Sequence, residues 1–173
     1  VCKELNQYLE RGDIVIDGGN SHWKMSIVRH DKFKEKDVHF LDCGTSGGIE
    51  GARNGACFMV GGDTVAYYIV EPLLKDLAAP EGTLHVGPAG AGHFSKLIHN
   101  AIEFGMLQAI GEGVALLQAS AYKFNLPKLM CNWSNGSVIR GWLIELMAKG
   151  LQENNLEDLS SHVEDTREVR WAV

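Results

Sequence analysis

Residues 87 to 105 read Gly87-Pro-Ala-Gly-Ala-Gly-His-Phe-Ser-Lys96-Leu-Ile-His99-Asn100-Ala-Ile-Glu103-Phe-Gly105. Lys96, Asn100 and Glu103 stand at i, i+4 and i+7, positions that share one face of a 3.6-residue helix. His99 flanks that stripe. The rest of the segment to Leu117 is almost wholly apolar or small, which predicts a buried helix. Burying a base, an amide and an acid costs free energy unless the groups are paired or react. Taken singly, Lys96 and Glu103 read as a structural ion pair and His99 as a satisfied core histidine. Taken together, behind a glycine turn, they point to proton transfer. A lysine is a base only when neutral, and an apolar surrounding favours the neutral form. An ionised Glu103 beside it would favour ammonium, so the two are expected to exchange protonation as a pair.

Such a stripe needs a strand, a turn and a helix to carry it. Thr83–Val86 is the apolar run that leads into the turn. Upstream, Val1, Leu5, Tyr8 and Leu9 predict a helix over 1–10, stopped by Gly12. Ile14–Ile16 has the unbroken apolar character of a strand buried on both faces. It runs into Asp17-Gly-Gly-Asn20-Ser21, where glycines allow a sharp turn and close approach to a ligand. Ser21 is the expected cap of a helix carrying Met25, Val28 and Phe33. Asn20 alone reads as a turn residue. Val38–Leu41 is the next strand, ending in a glycine-rich loop over 43–48. Backbone N–H groups at Ser46, Gly47 and Gly48 would suit a carboxylate or hydroxyl oxygen. Ala56–Val60 follows as a strand. A helix over Thr64–Leu77 is expected to turn Val65, Tyr68, Ile69 and Leu73 inward, with Pro72 kinking or dividing it.

Strands alternating with helices predict βαβ units and a mostly parallel sheet. Ligands of such sheets bind beyond the carboxyl ends of the strands, where the loops 17–21, 43–48 and 87–92 are expected. Beyond Gly92 the strands stop. Helices are predicted from His93 to about Phe124, from Pro127 through Leu146 with a break near Trp133–Ser137, and near Leu156–Val163. The domain boundary is therefore expected at Pro88, with residues 1–88 α/β and 89–173 all-α.

The 173 residues, 45% hydrophobic and 22% charged, suffice for one domain or parts of two. A net charge of −6 without a basic patch argues against nucleic acid. No apolar run approaches the roughly 20 residues of a membrane span. Four cysteines without close pairing read as reduced thiols of a cytoplasmic protein, and the histidines form no metal-ligand pattern. The chain opens on Val1 inside what reads as a helix and stops on Trp171-Ala-Val173 without a closing signal, so a piece of something longer is expected.

The spacing G-x-x-G-x-G-x-x-x-K-x-x-x-N from Gly87 to Asn100, preceded by Asp17-Gly-Gly-Asn20-Ser and Thr45-Ser46-Gly47-Gly48, resembles the β-hydroxyacid dehydrogenases. His99-Asn100 followed by Glu103 narrows the resemblance to the decarboxylating 6-phosphogluconate dehydrogenases, and it extends through Trp133–Arg140. It implies the second half of a Rossmann-type sheet, then the start of an all-α domain that forms homodimers. The implied reaction oxidises 6-phosphogluconate with NADP or NAD to ribulose 5-phosphate and carbon dioxide. By resemblance Lys96 is the general base and Glu103 the acid that protonates the enediol. Asn20, Ser46, Gly47, Gly48, His99 and Asn100 match substrate-contacting positions, and Asn20 also the coenzyme. Two departures stand out. Phe104 replaces a tyrosine that contacts phosphate, and the glycine-rich stretch expected before Arg170-Trp171 reads Glu164-Asp-Thr-Arg-Glu-Val. No G-x-G-x-x-G phosphate loop occurs. Phe104 motivates the alternative of an unphosphorylated acid, and the absent loop that of an inactive binding or dimerisation module.

Overall fold

The structure, a computed structural model, describes residues 1–5 and 7–154; the helix expected near Leu156–Val163 and the Arg170-Trp171 stretch lie outside them. The elements are α1 (Cys2–Leu5), β1 (Ile14–Asp17), α2 (Trp23–Lys34), β2 (His39–Ser46), α3 (Gly48–Asn54), β3 (Ala56–Gly62), α4 (Thr64–Leu77), β4 (Ala78–Gly87), α5 (Ala91–Ala119), α6 (Leu126–Ser134) and α7 (Trp142–Glu153). They fall into two compact units, one spanning Val1–Asn100 and one beginning at Ala101. An α/β half followed by a helical half is the order that the sequence predicts.

The sheet runs β1-β2-β3-β4 and is mixed. β1/β2 and β3/β4 are parallel, whereas β2/β3 is antiparallel. Chain length explains the reversal. A parallel crossover takes a dozen or more residues, and only the seven-residue α3 with its flanking glycines joins β2 to β3. Asp17, Asp42, Gly61 and Gly87 consequently form one row across the sheet. β1 ends at this row from one direction and β4 from the other. The expected loop over 43–48 is therefore largely strand, since β2 runs past the row to Ser46.

Alternation along β2 divides its neighbours. Phe40 stacks on Phe33 of α2 at 5.6 Å, in a cluster with Val38. Leu41 and Cys43, on the other face, pack with Val60, Ala66, Tyr67 and Leu74. Asp42 and Gly44 share the face of Phe40. The second unit has its own core of Val114, Leu126, Met130, Ala148 and Leu151.

Several local expectations need correction. The first helix is only four residues long, with Val1, Leu5 and Tyr8 exposed. β1 is half-buried, because among the described residues it pairs with β2 alone. His22, not Ser21, caps α2; Ser21 is drawn away by Asp17. Ser26 and Phe33 form the buried face of α2, while Met25 and Val28 are exposed. α4 is one helix despite Pro72 and buries Ala66, Tyr67 and Leu74, leaving Val65, Tyr68, Ile69 and Leu73 exposed. α5 is not sheathed in core: Phe94, Ile98, Ile102, Met106 and Leu107 are exposed, while His93, Lys96, Leu97 and Asn100 are buried. The burial of polar groups in preference to apolar ones follows from what the sheet offers the helix.

Candidate active site

β2 presents Asp42 and Gly44 to the first turns of α5. Asp42 is 0% exposed, and its two carboxylate oxygens accept the backbone N–H groups of Gly90 at 2.7 Å and His93 at 2.8 Å. The opening N–H groups of a helix lack intrahelical acceptors, and a negative charge is favoured there. Glycine makes the approach possible. A Cβ on Gly92 would strike the carbonyl oxygen of Asp42 and lie 2.5 Å from that of Met59. One on Gly44 would lie 2.6 Å from Cβ of Lys96 and 2.7 Å from the carbonyl oxygen of Gly92. Lys96 therefore leaves the helix directly over β2 and is 8% exposed.

Less than one turn on from Lys96, His99 meets the end of β2. Ser46 Oγ lies 3.1 Å from His99 Nε2, and His99 Nδ1 lies 3.2 Å from Asn100 Oδ1. The amide oxygen can only accept, so Nδ1 is the donor to Asn100. Gly47 and Gly48 turn the chain from β2 into α3 at φ of 123° and 57°, values that disfavour a side chain. Glu103, further along α5 and in the second unit, is half-buried.

Asn20 stands exposed in the loop after β1. Asp17 shapes that loop by accepting from Gly19 N–H at 3.2 Å, from Ser21 Oγ at 2.8 Å and from Arg29 Nη1 at 2.8 Å. The structure thus unites Ser46, His99 and Asn100 by hydrogen bonds and sets Lys96 beside them on the same helix. Asn20 is held separately, at the Asp17 end of the row.

Sequence reasoning missed Asp42, Gly44, and the pair formed by Ser26 Oγ and His93 Nδ1 at 2.7 Å. A charged residue inside the apolar run of β2 was the available signal for Asp42. Both members of the pair are buried, and His93 Nε2 has no hydrogen-bond partner among the described residues. Burial pushes the Cys43 thiol up to about 11, opposed by a hydrogen bond with Thr45, while the charges of Asp42 and Asp17 add smaller upward pushes; a raised pKa disfavours the nucleophilic thiolate. Among the described residues no group of three or more His, Cys, Asp or Glu is placed to hold a metal ion. No described helix is long and apolar enough to cross a membrane.

Residues 1–87 match the family model of the NAD binding domain of 6-phosphogluconate dehydrogenase. Residues 92–170 match that of the 6-phosphogluconate dehydrogenase C-terminal domain. The chain belongs to the 6-phosphogluconate dehydrogenase family. YqeC of Bacillus subtilis (strain 168), provisionally named a 6-phosphogluconate dehydrogenase, is 47% identical over 174 residues, covering 100% of this chain and 59% of its own length. The NAD(+)-dependent, decarboxylating 6-phosphogluconate dehydrogenase of Haloferax volcanii is 39% identical, over 98% of this chain and 57% of its own length. The chain thus spans less than two thirds of these curated relatives. Among solved structures, Plasmodium falciparum 6-phosphogluconate dehydrogenase superposes with a TM-score of 0.88 at 32% identity, over 99% of this chain and 39% of that one. Mycobacterium tuberculosis 3-hydroxyisobutyrate dehydrogenase superposes with a TM-score of 0.66 at 26% identity, over 82% and 47%.

Proposed function

We propose that this chain carries the reacting groups of a decarboxylating 6-phosphogluconate dehydrogenase that uses NADP or NAD. The observation that carries the reading is Lys96, a buried lysine whose Cβ lies against Gly44, on the helix that also bears His99 and Asn100. On this reading Lys96 takes the proton of the substrate hydroxyl as its carbon is oxidised. The new carbonyl accepts the electrons released when carbon dioxide leaves, and Glu103 returns a proton to the resulting enediol. Ser46, Gly47, Gly48, His99 and Asn100 orient the sugar acid. The residues present fit one side of a nicotinamide coenzyme: the backbone at Gly18 is open, with nothing within 4 Å of a Cβ built there, and Asn20 beside it is exposed. Asn20 would hold the coenzyme, which supplies the hydride acceptor when bound.

Residues 1–88 form the coenzyme half on this reading, and 89–173 open a substrate and homodimerisation half. The cytoplasm suits its four free thiols. Lys96→Ala in the intact protein is expected to lower kcat by about 10² to 10⁴, read as NADPH or NADH formation with 6-phosphogluconate. Undiminished turnover would refute the assignment.

Phe104 favours a second reading, a β-hydroxyacid dehydrogenase for an unphosphorylated acid, in line with the 3-hydroxyisobutyrate dehydrogenase likeness. Higher kcat/KM for 3-hydroxyisobutyrate than for 6-phosphogluconate would select it.

A further inference from the structure

We infer that Asp42 is a positioning residue for Lys96, holding the first turn of α5 on the sheet so that the Lys96 side chain leaves the helix against Gly44. The inference rests on the reading of Lys96 as the base. Burying a carboxylate is costly unless it is paired or hydrogen-bonded. Asp42 is fully buried, and each of its oxygens takes one N–H of the turn that opens α5. A serine or aspartate next to a helix start could cap it at the surface for less. Here the cap comes from 48 residues away, out of the middle of a strand. What this adds over a local cap is register between helix and sheet.

Two further features tighten that register. Ser26 Oγ and His93 Nδ1, both buried, tie the same turn to α2 at 2.7 Å. Gly44, Gly61 and Gly92 leave no clearance: a Cβ on Gly61 would lie 2.6 Å from Gly92 N and 2.7 Å from Asp42 Oδ1. Lys96 follows His93 by three residues, less than one helical turn, so a slip of this turn carries the backbone of Lys96 with it. A displacement near 1 Å at reacting groups can cost about a hundredfold in rate.

Asp42→Asn keeps the shape of the side chain but turns an amide N–H toward one of the two backbone donors. In the intact protein kcat with 6-phosphogluconate is expected to fall about ten- to a hundredfold, with KM for sugar acid and coenzyme changed by less than about threefold. Amide hydrogen exchange across 87–100 is expected to quicken about tenfold or more, with α4 unaffected. Ser26→Ala should act in the same direction with smaller size, and it decides the matter should Asp42→Asn not fold. Unchanged exchange across 87–100, or faster exchange with an unchanged kcat, would overturn the inference. Absence of 6-phosphogluconate turnover by the unsubstituted protein would instead sink the functional reading, and the exchange rates alone would then decide whether Asp42 is the clamp.

Discussion

Asp17 and Asp42 are register neighbours on β1 and β2, and each organises a glycine turn, yet they do so by different means. Asp17 is partly exposed and gathers a guanidinium, a hydroxyl and one backbone N–H. Asp42 is sealed from water and is satisfied by two backbone N–H groups. The first arrangement can rearrange, because water can replace any donor it loses. The second cannot, because a lost donor leaves a buried charge without compensation. The turn at 17–21 is therefore an adaptable rim that displays Asn20, and the turn at 87–92 a fixed mount for Lys96.

Substitutions of the glycines test this contrast most sharply. Gly92→Ala would drive a methyl into the backbone of β2 and β3. It is expected to cost about 3 kcal/mol or more in stability by denaturant titration, because strand backbone cannot step aside. A loss under about 1 kcal/mol would break the claim that the mount is rigid. Arg29→Leu removes one partner of Asp17, with the two side chains 29% and 19% exposed. Its cost is expected to stay below about 1 kcal/mol, and a loss as large as that of Gly92→Ala would erase the distinction. Gly18→Ala, at a position open to solvent, should shift stability by less than about 0.5 kcal/mol.

A third carboxylate extends the comparison to pH. Burial alone would raise the pKa of Asp63, but hydrogen bonds from His39 at 2.8 Å and His30 at 3.2 Å outweigh it and hold the carboxyl below its ordinary range. A depressed folded value contributes stability that is present above the unfolded value, near 3.8, and is lost as pH falls through the folded one. Unfolding free energy should therefore drop on acidification from about pH 5 to 3. Asp63→Asn should flatten that slope, and a slope equal to that of the unsubstituted protein would exclude Asp63 as its source.

The sequence by itself determined that strands alternate with helices up to Gly87 and then give way to helices, because turn chemistry and hydrophobic period are local properties. It also placed Lys96 and Asn100 on one helical face, both of them buried, since register is set by the 3.6-residue repeat alone. Tertiary structure decided the rest. Val65, Tyr68, Ile69 and Leu73 have helical spacing, but Ala66, Tyr67 and Leu74 are buried, because the packing of α4 on β2 selects the face and period alone cannot. The segment 43–48 reads as a glycine loop, yet its first four residues are strand, because Gly44 serves the close approach of α5 rather than a turn. In the sequence Asp42 is no more than a polar residue after an apolar run, and it is passed over there. Its role comes from 48 residues further along the chain, a separation over which no local pattern reports, since the contact exists only once β2 and the start of α5 are packed together.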